Sequence, residues 1–118
     1  MQHRGDGGDD ETVGEQIRRR RLALGLSDLQ LAVRSGIHRN ALARIQSGDA
    51  EPRYATVQAV LRALDEFEVE AAGGEVRRTN NKYVVIELPG GGRVVVDWQP
   101  GPDFAQQIAD LVESLGLR

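Results

Sequence analysis

The first half of the chain repeats one pattern, in which a short stretch of helically spaced apolar residues begins at a capping side chain and ends at a glycine. Thr12 precedes Glu15 by three residues, the spacing of a capping box, which predicts the start of a first helix. Gly25 supplies the C-terminal stop of that helix. Ser27 is suited to cap a second helix, expected over residues 28–34.

A tight turn then leads into a third helix. Gly36 allows the positive φ that a sharp reversal requires. His38 occupies the cap position of a helix expected over residues 39–46, in which Leu42 and Ile45 are spaced i, i+3 and define the buried stripe. The pattern therefore predicts two short helices joined by a glycine turn.

Apolar residues at helical spacing also predict a fourth helix over residues 54–66, introduced by Pro52. A short fifth element is expected to run to Val69. The glycines and polar residues of segment 71–81 indicate a linker or a wide turn.

The spacing changes from helical to alternating in the last third of the chain. Two β-branched runs, residues 82–88 and 93–98, flank a glycine turn at 89–92 and predict a β-hairpin. A final amphipathic helix is marked by apolar residues at i, i+4, i+7, i+8 and i+11, namely Phe104, Ile108, Leu111, Val112 and Leu115. The predicted fold class is α+β: an N-terminal all-α bundle of four to five helices, then a β-hairpin and a C-terminal amphipathic helix.

The composition excludes several kinds of functional site and structural feature. A chain of 118 residues with 40% hydrophobic residues has room for one domain, or one small domain with an appendage. It contains no cysteine, which excludes disulfides, thiolate metal sites and cysteine nucleophiles. No apolar run approaches the roughly 20 residues that span a bilayer. Residues 1–12 are polar and rich in glycine and aspartate, so we expect a disordered tail on a cytoplasmic protein.

The net charge of −3 conceals an uneven distribution. Residues 13–64 hold nine arginines against four acidic residues, a net charge of +5, whereas residues 65–118 hold five basic against ten acidic residues, a net charge of −5. Screening limits the reach of each charge to about 10 Å. A partner of the middle segment therefore responds to the charge of that segment rather than to the charge of the whole chain. Its charge favours a nucleic-acid partner, although the pI of the whole chain, about 5.4, does not.

A helix, a glycine turn and a second helix inside a bundle of four or five make a helix-turn-helix. Residues 13–67 resemble the Xre, or Cro/phage-repressor-like, DNA-binding family. The resemblance is carried by the order and spacing of six pieces: VGEQIRRRRLALGLS at 13–27, LA at 31–32, SGI at 35–37, ALARIQSG at 41–48, Pro52, and TVQAVLRAL at 56–64.

In that family the third helix lies in the major groove, where its N-terminal residues read base edges. The resemblance therefore implies base contacts from residues away from the buried stripe, which are Arg39, Asn40, Ala43 and Arg44. Arginine can hold guanine bidentately, asparagine can hold adenine, and alanine can touch a thymine methyl group. Contacts to DNA phosphates are expected from Arg18, Arg21, Ser27, His38, Ser47 and Arg53.

These assignments have competing interpretations. Arg39 and Arg44 could be solvated surface residues, and His38 could serve only as a helix cap. The four successive arginines at 18–21 point around their helix, so at most two of them can share a DNA-facing side. Asp28 departs from the family, which commonly has glutamine there to contact a phosphate. An acid suits a helix N-terminus, but it repels a phosphate.

The second half is predicted to serve dimerisation. An isolated two-stranded hairpin is marginal in water; the final helix can cover one apolar face, and the other face remains half apolar. The residues expected at the dimer interface are Tyr83, Val85, Val95, Trp98, Phe104, Ile108 and Leu111. The alternative is an appendage that folds onto its own bundle. The expected domains are a tail (1–12), a helix-turn-helix domain (13–70), a linker (71–81) and a dimerisation region (82–118).

The predicted function is sequence-specific binding of double-stranded DNA by a dimeric transcriptional repressor. Repression needs only occupancy of an operator, so we expect neither catalysis nor a cofactor nor a metal. One alternative is an antitoxin that binds a toxin protein and represses its own operon; the acidic second half suits a basic partner. Another is a protein-interaction module without DNA binding.

Overall fold

The computed structural model describes residues 11–78, 83–97 and 101–116. Within them, five helices and three strands follow one another in the order α1 (Val13–Ala23), α2 (Asp28–Ser35), α3 (Arg39–Ser47), α4 (Tyr54–Ala71), β1 (Glu75–Arg78), β2 (Tyr83–Glu87), β3 (Arg93–Asp97) and α5 (Pro102–Gly116). This order confirms the predicted α+β class. The expected disordered tail lies, up to residue 10, outside the described residues.

Side-chain caps begin the first two helices, as predicted. The Thr12 hydroxyl accepts the Glu15 N–H at 3.1 Å, and the Glu15 carboxylate accepts the Thr12 N–H at 3.0 Å. Ser27 and Gln30 repeat this capping box at the start of α2, at 3.1 and 2.8 Å. Each box satisfies two backbone N–H groups that a helix N-terminus otherwise leaves without a partner.

Glycines in the left-handed conformation end α2 and α3. Gly36 has φ 78° and Gly48 has φ 85°. Residues with a Cβ rarely adopt these angles, so the two glycines fix where α2 and α3 end. The predicted turn at 35–37 is confirmed.

The chain divides into two compact units, residues 1–60 and 61–118, and the division falls inside α4. In the first unit, α3 packs against both α1 and α2. Its buried apolar side chains are Ile17, Leu31, Ala32, Leu42, Ile45 and Val60. Within the described residues, no helix is long and apolar enough to cross a membrane.

Two predictions for the middle of the chain are wrong. The fourth helix does not stop at residue 66 before a separate fifth element, because no glycine or proline interrupts α4 before its end at Ala71. The predicted linker 71–81 contains strand β1, which extends the predicted hairpin to three strands. A strand of four residues with Val76 as its single apolar residue carries too little alternation to be recognised in a sequence.

The sheet is antiparallel, in the order β1-β2-β3. Val84 pairs with Val96 and Ile86 with Val94 across β2 and β3, while Ile86 pairs with Val76 of β1. Side chains alternate between the two faces of a strand, so these residues share one face. The predicted pairing of the two β-branched runs is confirmed.

The final helix covers that face of the sheet, as predicted. Val84 and Ile86 of β2 are buried in one cluster with Val69 of α4 and with Ile108 and Val112 of α5. Partly buried apolar side chains pack around this cluster: Ala72, Val76, Leu88, Val96 and Phe104. The second unit therefore has a hydrophobic core of its own.

A buried carboxylate holds the start of α5. Asp65, a fully buried residue of α4, accepts the backbone N–H of Gly101 at 2.8 Å. The Gly101 carbonyl in turn accepts the Ala105 N–H at 3.1 Å, which is the first turn of the helix.

We expect Asp65→Ala to lower the free energy of unfolding by about 1–3 kcal/mol, because it leaves a part-buried N–H without its acceptor. Urea unfolding followed by circular dichroism measures this loss. Glu113→Ala, which removes an exposed carboxylate from α5, is the control and should stay within about 0.5 kcal/mol of the parent. Equal losses in the two variants would contradict the anchoring role of Asp65.

Candidate nucleic-acid interface

Helix α3 separates a buried side from an exposed one. Leu42 and Ile45 are buried, as their i, i+3 spacing predicted. The four residues expected to contact bases, Arg39, Asn40, Ala43 and Arg44, are all exposed. The helix therefore presents two guanidinium groups and one amide, which are groups suited to the donor and acceptor pattern of base edges in the major groove.

His38 caps this helix, as predicted. Its Nδ1 accepts the Asn40 N–H at 3.0 Å. A neutral imidazole that accepts at Nδ1 carries its proton on Nε2, so the exposed ring retains one donor. Capping and a phosphate contact are thus compatible in the same side chain, although the structure shows only the cap.

Gly14 brings the backbones of α1 and α3 into direct contact. The residue is buried, and a Cβ on it would clash with the carbonyl oxygen of Ile45. The same Cβ would lie 3.2 Å from the carbonyl oxygen of Gln46. Only glycine permits this approach. The backbone of α1 therefore packs directly against the last turn of α3.

A closed group of three side chains joins α1, α2 and α3. The Arg21 Nε donates to the Gln46 Oε1 at 3.0 Å and lies 3.0 Å from the Asp28 Oδ1. The Gln46 Nε2 donates to the same Asp28 oxygen at 2.8 Å. The Arg21 Nη1 donates to the Leu26 carbonyl at 2.9 Å. We call Arg21, Asp28 and Gln46 the helix-junction triad.

The four arginines of α1 have four different environments. Arg18 is exposed, and Arg19 forms a bidentate ion pair with Glu11 at 2.8 and 2.9 Å. The Arg19 guanidinium holds the pKa of Glu11 below its usual value. Arg20 is buried, and Arg21 belongs to the triad. Of the two α1 arginines predicted to contact phosphates, Arg18 is exposed, while Arg21 has internal partners.

The other residues predicted to contact phosphates lie at helix ends or in the following loop. Ser27 is exposed, and its hydroxyl already accepts the Gln30 N–H. Ser47 is exposed and donates to the Arg44 carbonyl at 3.1 Å. Arg53 is exposed just before α4. Their contacts with DNA remain predictions.

The residues predicted to form a dimer interface do not all lie on a surface. Ile108 is buried in the core of the second unit, and Phe104 packs against that core. Helical spacing of apolar residues marks a buried face without telling a core from an interface, so contacts of these two residues with a second copy stay a prediction. Val95 and Leu111 are exposed, at 61% and 39%, and Val85 is half-buried. Trp98 and the side chain of Tyr83 lie outside the described residues.

Sequence reasoning missed two residues that hold α3 in place. In the sequence, Gly14 stood out only as part of a family pattern. A glycine inside a helix lowers helix stability by about 1 kcal/mol relative to alanine, which suggests a packing role for it. Gln46 carried no signal of its own. Asp28 was recognised only as a departure from the family, and the triad supplies a local reason for an acid at that position.

The comparisons agree with this geometry. A helix-turn-helix family model matches residues 17–68, which include most of α1, all of α2 and α3, and most of α4. No curated protein and no solved structure matched the chain. Residues 17–68 therefore form a domain of the Xre-like helix-turn-helix family, whose members are DNA-binding regulatory domains.

Proposed function

We propose that the protein is a transcriptional repressor that binds a specific operator as a dimer and reads it through the major groove. The observation that carries the proposal is the exposed side of α3, where Arg39, Asn40 and Arg44 are accessible together. This helix packs against both α1 and α2. The surrounding segment 13–64 has a net charge of +5, which favours approach to a phosphate backbone. Occupancy of an operator is sufficient for repression.

A selection from random-sequence duplexes tests this proposal. The purified protein should enrich a discrete sequence arranged as an inverted repeat, because a two-fold dimer places its two reading helices in successive major grooves about 34–36 Å apart. An enriched single half-site would support specific reading but contradict the dimer. Failure to enrich any sequence would favour the alternative of a protein-interaction module.

We infer that the outer face of the sheet provides the dimer contact. Val85 and Val95 are paired on adjacent strands on the face opposite the core. Around them, Glu87 lies 3.3 Å from Arg93 and 3.9 Å from Arg77. Exposed apolar residues bordered by charges of both signs suit a self-complementary two-fold contact.

Val95→Glu is expected to shift the protein from dimer to monomer in sedimentation equilibrium, because two copies would bury like charges against each other. Leu22→Glu is the matched control, since Leu22 in the first unit is 57% exposed and Val95 is 61% exposed. An unchanged dimer in the Val95 variant would place the contact elsewhere. A parent that is monomeric at every concentration would overturn the dimer itself.

One observation favours a second candidate, an antitoxin. Residues 65–118 carry ten acidic against five basic residues, which suits a basic protein partner. If a neighbouring gene encodes a small basic protein that arrests growth, co-expression of this chain should relieve the arrest. Persistent arrest would remove this candidate without affecting the repressor proposal.

A further inference from the structure

The helix-junction triad links α3, which carries the residues proposed to contact bases, to α1 and α2. Arg21 comes from α1, Asp28 is the first residue of α2, and Gln46 lies in the last turn of α3. Each pair of side chains is in contact, at 2.8 to 3.0 Å. The group is partly shielded from water, since the Arg21 side chain is 14% exposed and that of Asp28 is 37% exposed.

The hydrogen-bond donors and acceptors of the three side chains complement one another. Arg21 has only donors, Asp28 as a carboxylate has only acceptors, and Gln46 has one of each. The amide can therefore accept from the guanidinium and donate to the carboxylate at the same time. Hydrogen bonds that involve an ionised partner are stronger and more directional than neutral ones.

The position of Gln46 relates the triad to the rotation of α3 about its own axis. Gln46 lies seven residues after Arg39, which is close to two full turns, so the two residues lie on the same side of the helix. A helix with its side chains is about 10–12 Å wide, so a rotation of about 10° moves its side-chain tips by about 1 Å. Base contacts need donor–acceptor distances within a range of about 0.5 Å.

We propose that Arg21, Asp28 and Gln46 are positioning residues for sequence reading, which set the rotation of α3 without touching DNA themselves. This inference rests on the proposed function, because it concerns how well α3 discriminates between sequences. It assigns Arg21 to the helix junction rather than to a phosphate. It also gives Asp28 a function at a position where an unpaired acid would repel DNA.

The amide and the carboxylate can be exchanged to test the proposal. Gln46→Glu alone places two carboxylates side by side and removes the donor between residues 46 and 28. Adding Asp28→Asn restores that donor, now from residue 28, and Arg21 again faces one carboxylate and one amide. The double variant therefore has the same charges and the same number of hydrogen bonds as the parent, with two members exchanged.

The measured quantity is the ratio of the dissociation constants for a scrambled duplex and for the selected duplex, at a temperature where circular dichroism shows every variant folded. We expect Gln46→Glu to lower this ratio by about fivefold or more, equivalent to the loss of one base contact. Affinity for the scrambled duplex should change much less. The double variant Asp28→Asn/Gln46→Glu should recover the parental ratio to within about twofold.

The outcomes separate this inference from the proposed function. A parent that binds both duplexes equally overturns the proposed function and this inference together. A discriminating parent with an unchanged ratio in Gln46→Glu, even if its melting temperature falls, shows that the triad is merely structural. A folded double variant that does not recover discrimination also overturns the inference. If Gln46→Glu does not fold, Asp28→Asn, which replaces the carboxylate of the triad with an amide, takes its place and must lower the ratio.

Discussion

Replacing both Arg39 and Arg44 with alanine is expected to remove most of the preference of this protein for its operator. Both side chains are exposed on α3, next to Asn40 and away from the buried Leu42. A good bidentate arginine–guanine pair contributes about 1–3 kcal/mol of discrimination. Loss of two pairs should therefore reduce the ratio of scrambled to selected dissociation constants by about 30-fold or more. Fluorescence anisotropy with labelled duplexes measures this ratio.

The control removes an arginine that is not expected to contact DNA or a second copy of the chain. Arg19→Ala replaces an exposed arginine of α1 that pairs with Glu11, so its effect on DNA binding should be limited to the general loss of positive charge. If the α3 variant weakens binding to both duplexes equally and so keeps the parental ratio, the two arginines contact phosphates rather than bases. If neither affinity changes, the two arginines do not contact DNA.

Gly14→Ala is expected to destabilise the first unit strongly, although the same change in an exposed helix would stabilise it by roughly 0.5–1 kcal/mol. The new methyl group would clash with the Ile45 carbonyl oxygen. Overpacking in a rigid core costs about 1–3 kcal/mol, and here the atom that must move belongs to the backbone of α3. We expect the melting temperature of this unit to fall by about 10 °C or more.

Gly90→Ala is the matched control, because a Cβ at Gly90 would meet no atom within 4 Å and its φ is not in the left-handed region. Its melting temperature should stay within about 2 °C of the parent. Differential scanning calorimetry compares the three proteins. A Gly14→Ala variant as stable as the parent, or more stable, would contradict the close approach of α1 and α3.

The helix boundaries of the first unit were predictable because local chemistry determines them. Thr12, Ser27 and His38 each provide an acceptor at a helix start, and Gly36 and Gly48 provide the left-handed residue at a helix end. These signals act within three or four residues. They are therefore visible in a sequence without any knowledge of tertiary contacts.

Side-chain environments were less predictable, because they depend on residues that are distant in sequence. Arg20 is 5% exposed while Leu22 on the same helix is 57% exposed, the reverse of what polarity alone suggests. The triad joins positions 18 and 25 residues apart. Strand β1 pairs along its whole length with β2, where Val76 lies opposite Ile86. In each case a tertiary contact overrides the local pattern.

The candidate site shows the same difference between features set by local sequence and features set by tertiary contacts. The exposed positions of α3 followed from the spacing of Leu42 and Ile45, so the residues offered for base reading could be named in advance. The internal partners of Arg21 could not be predicted, because a basic residue in a basic segment gives no indication of an internal carboxylate partner. Its contacts with Asp28 and Gln46 emerge only when three helices are assembled.

The most direct test of the central claim, that the first unit reads DNA sequence, is the affinity of the unmodified protein for its selected duplex and for a scrambled duplex across a salt series. Both affinities should fall linearly on logarithmic axes as salt rises, because phosphate contacts release counterions. The selected duplex should bind more tightly at every salt concentration, since base contacts do not depend on that release. Equal affinities throughout the series would show that the protein does not read sequence, and would contradict the claim.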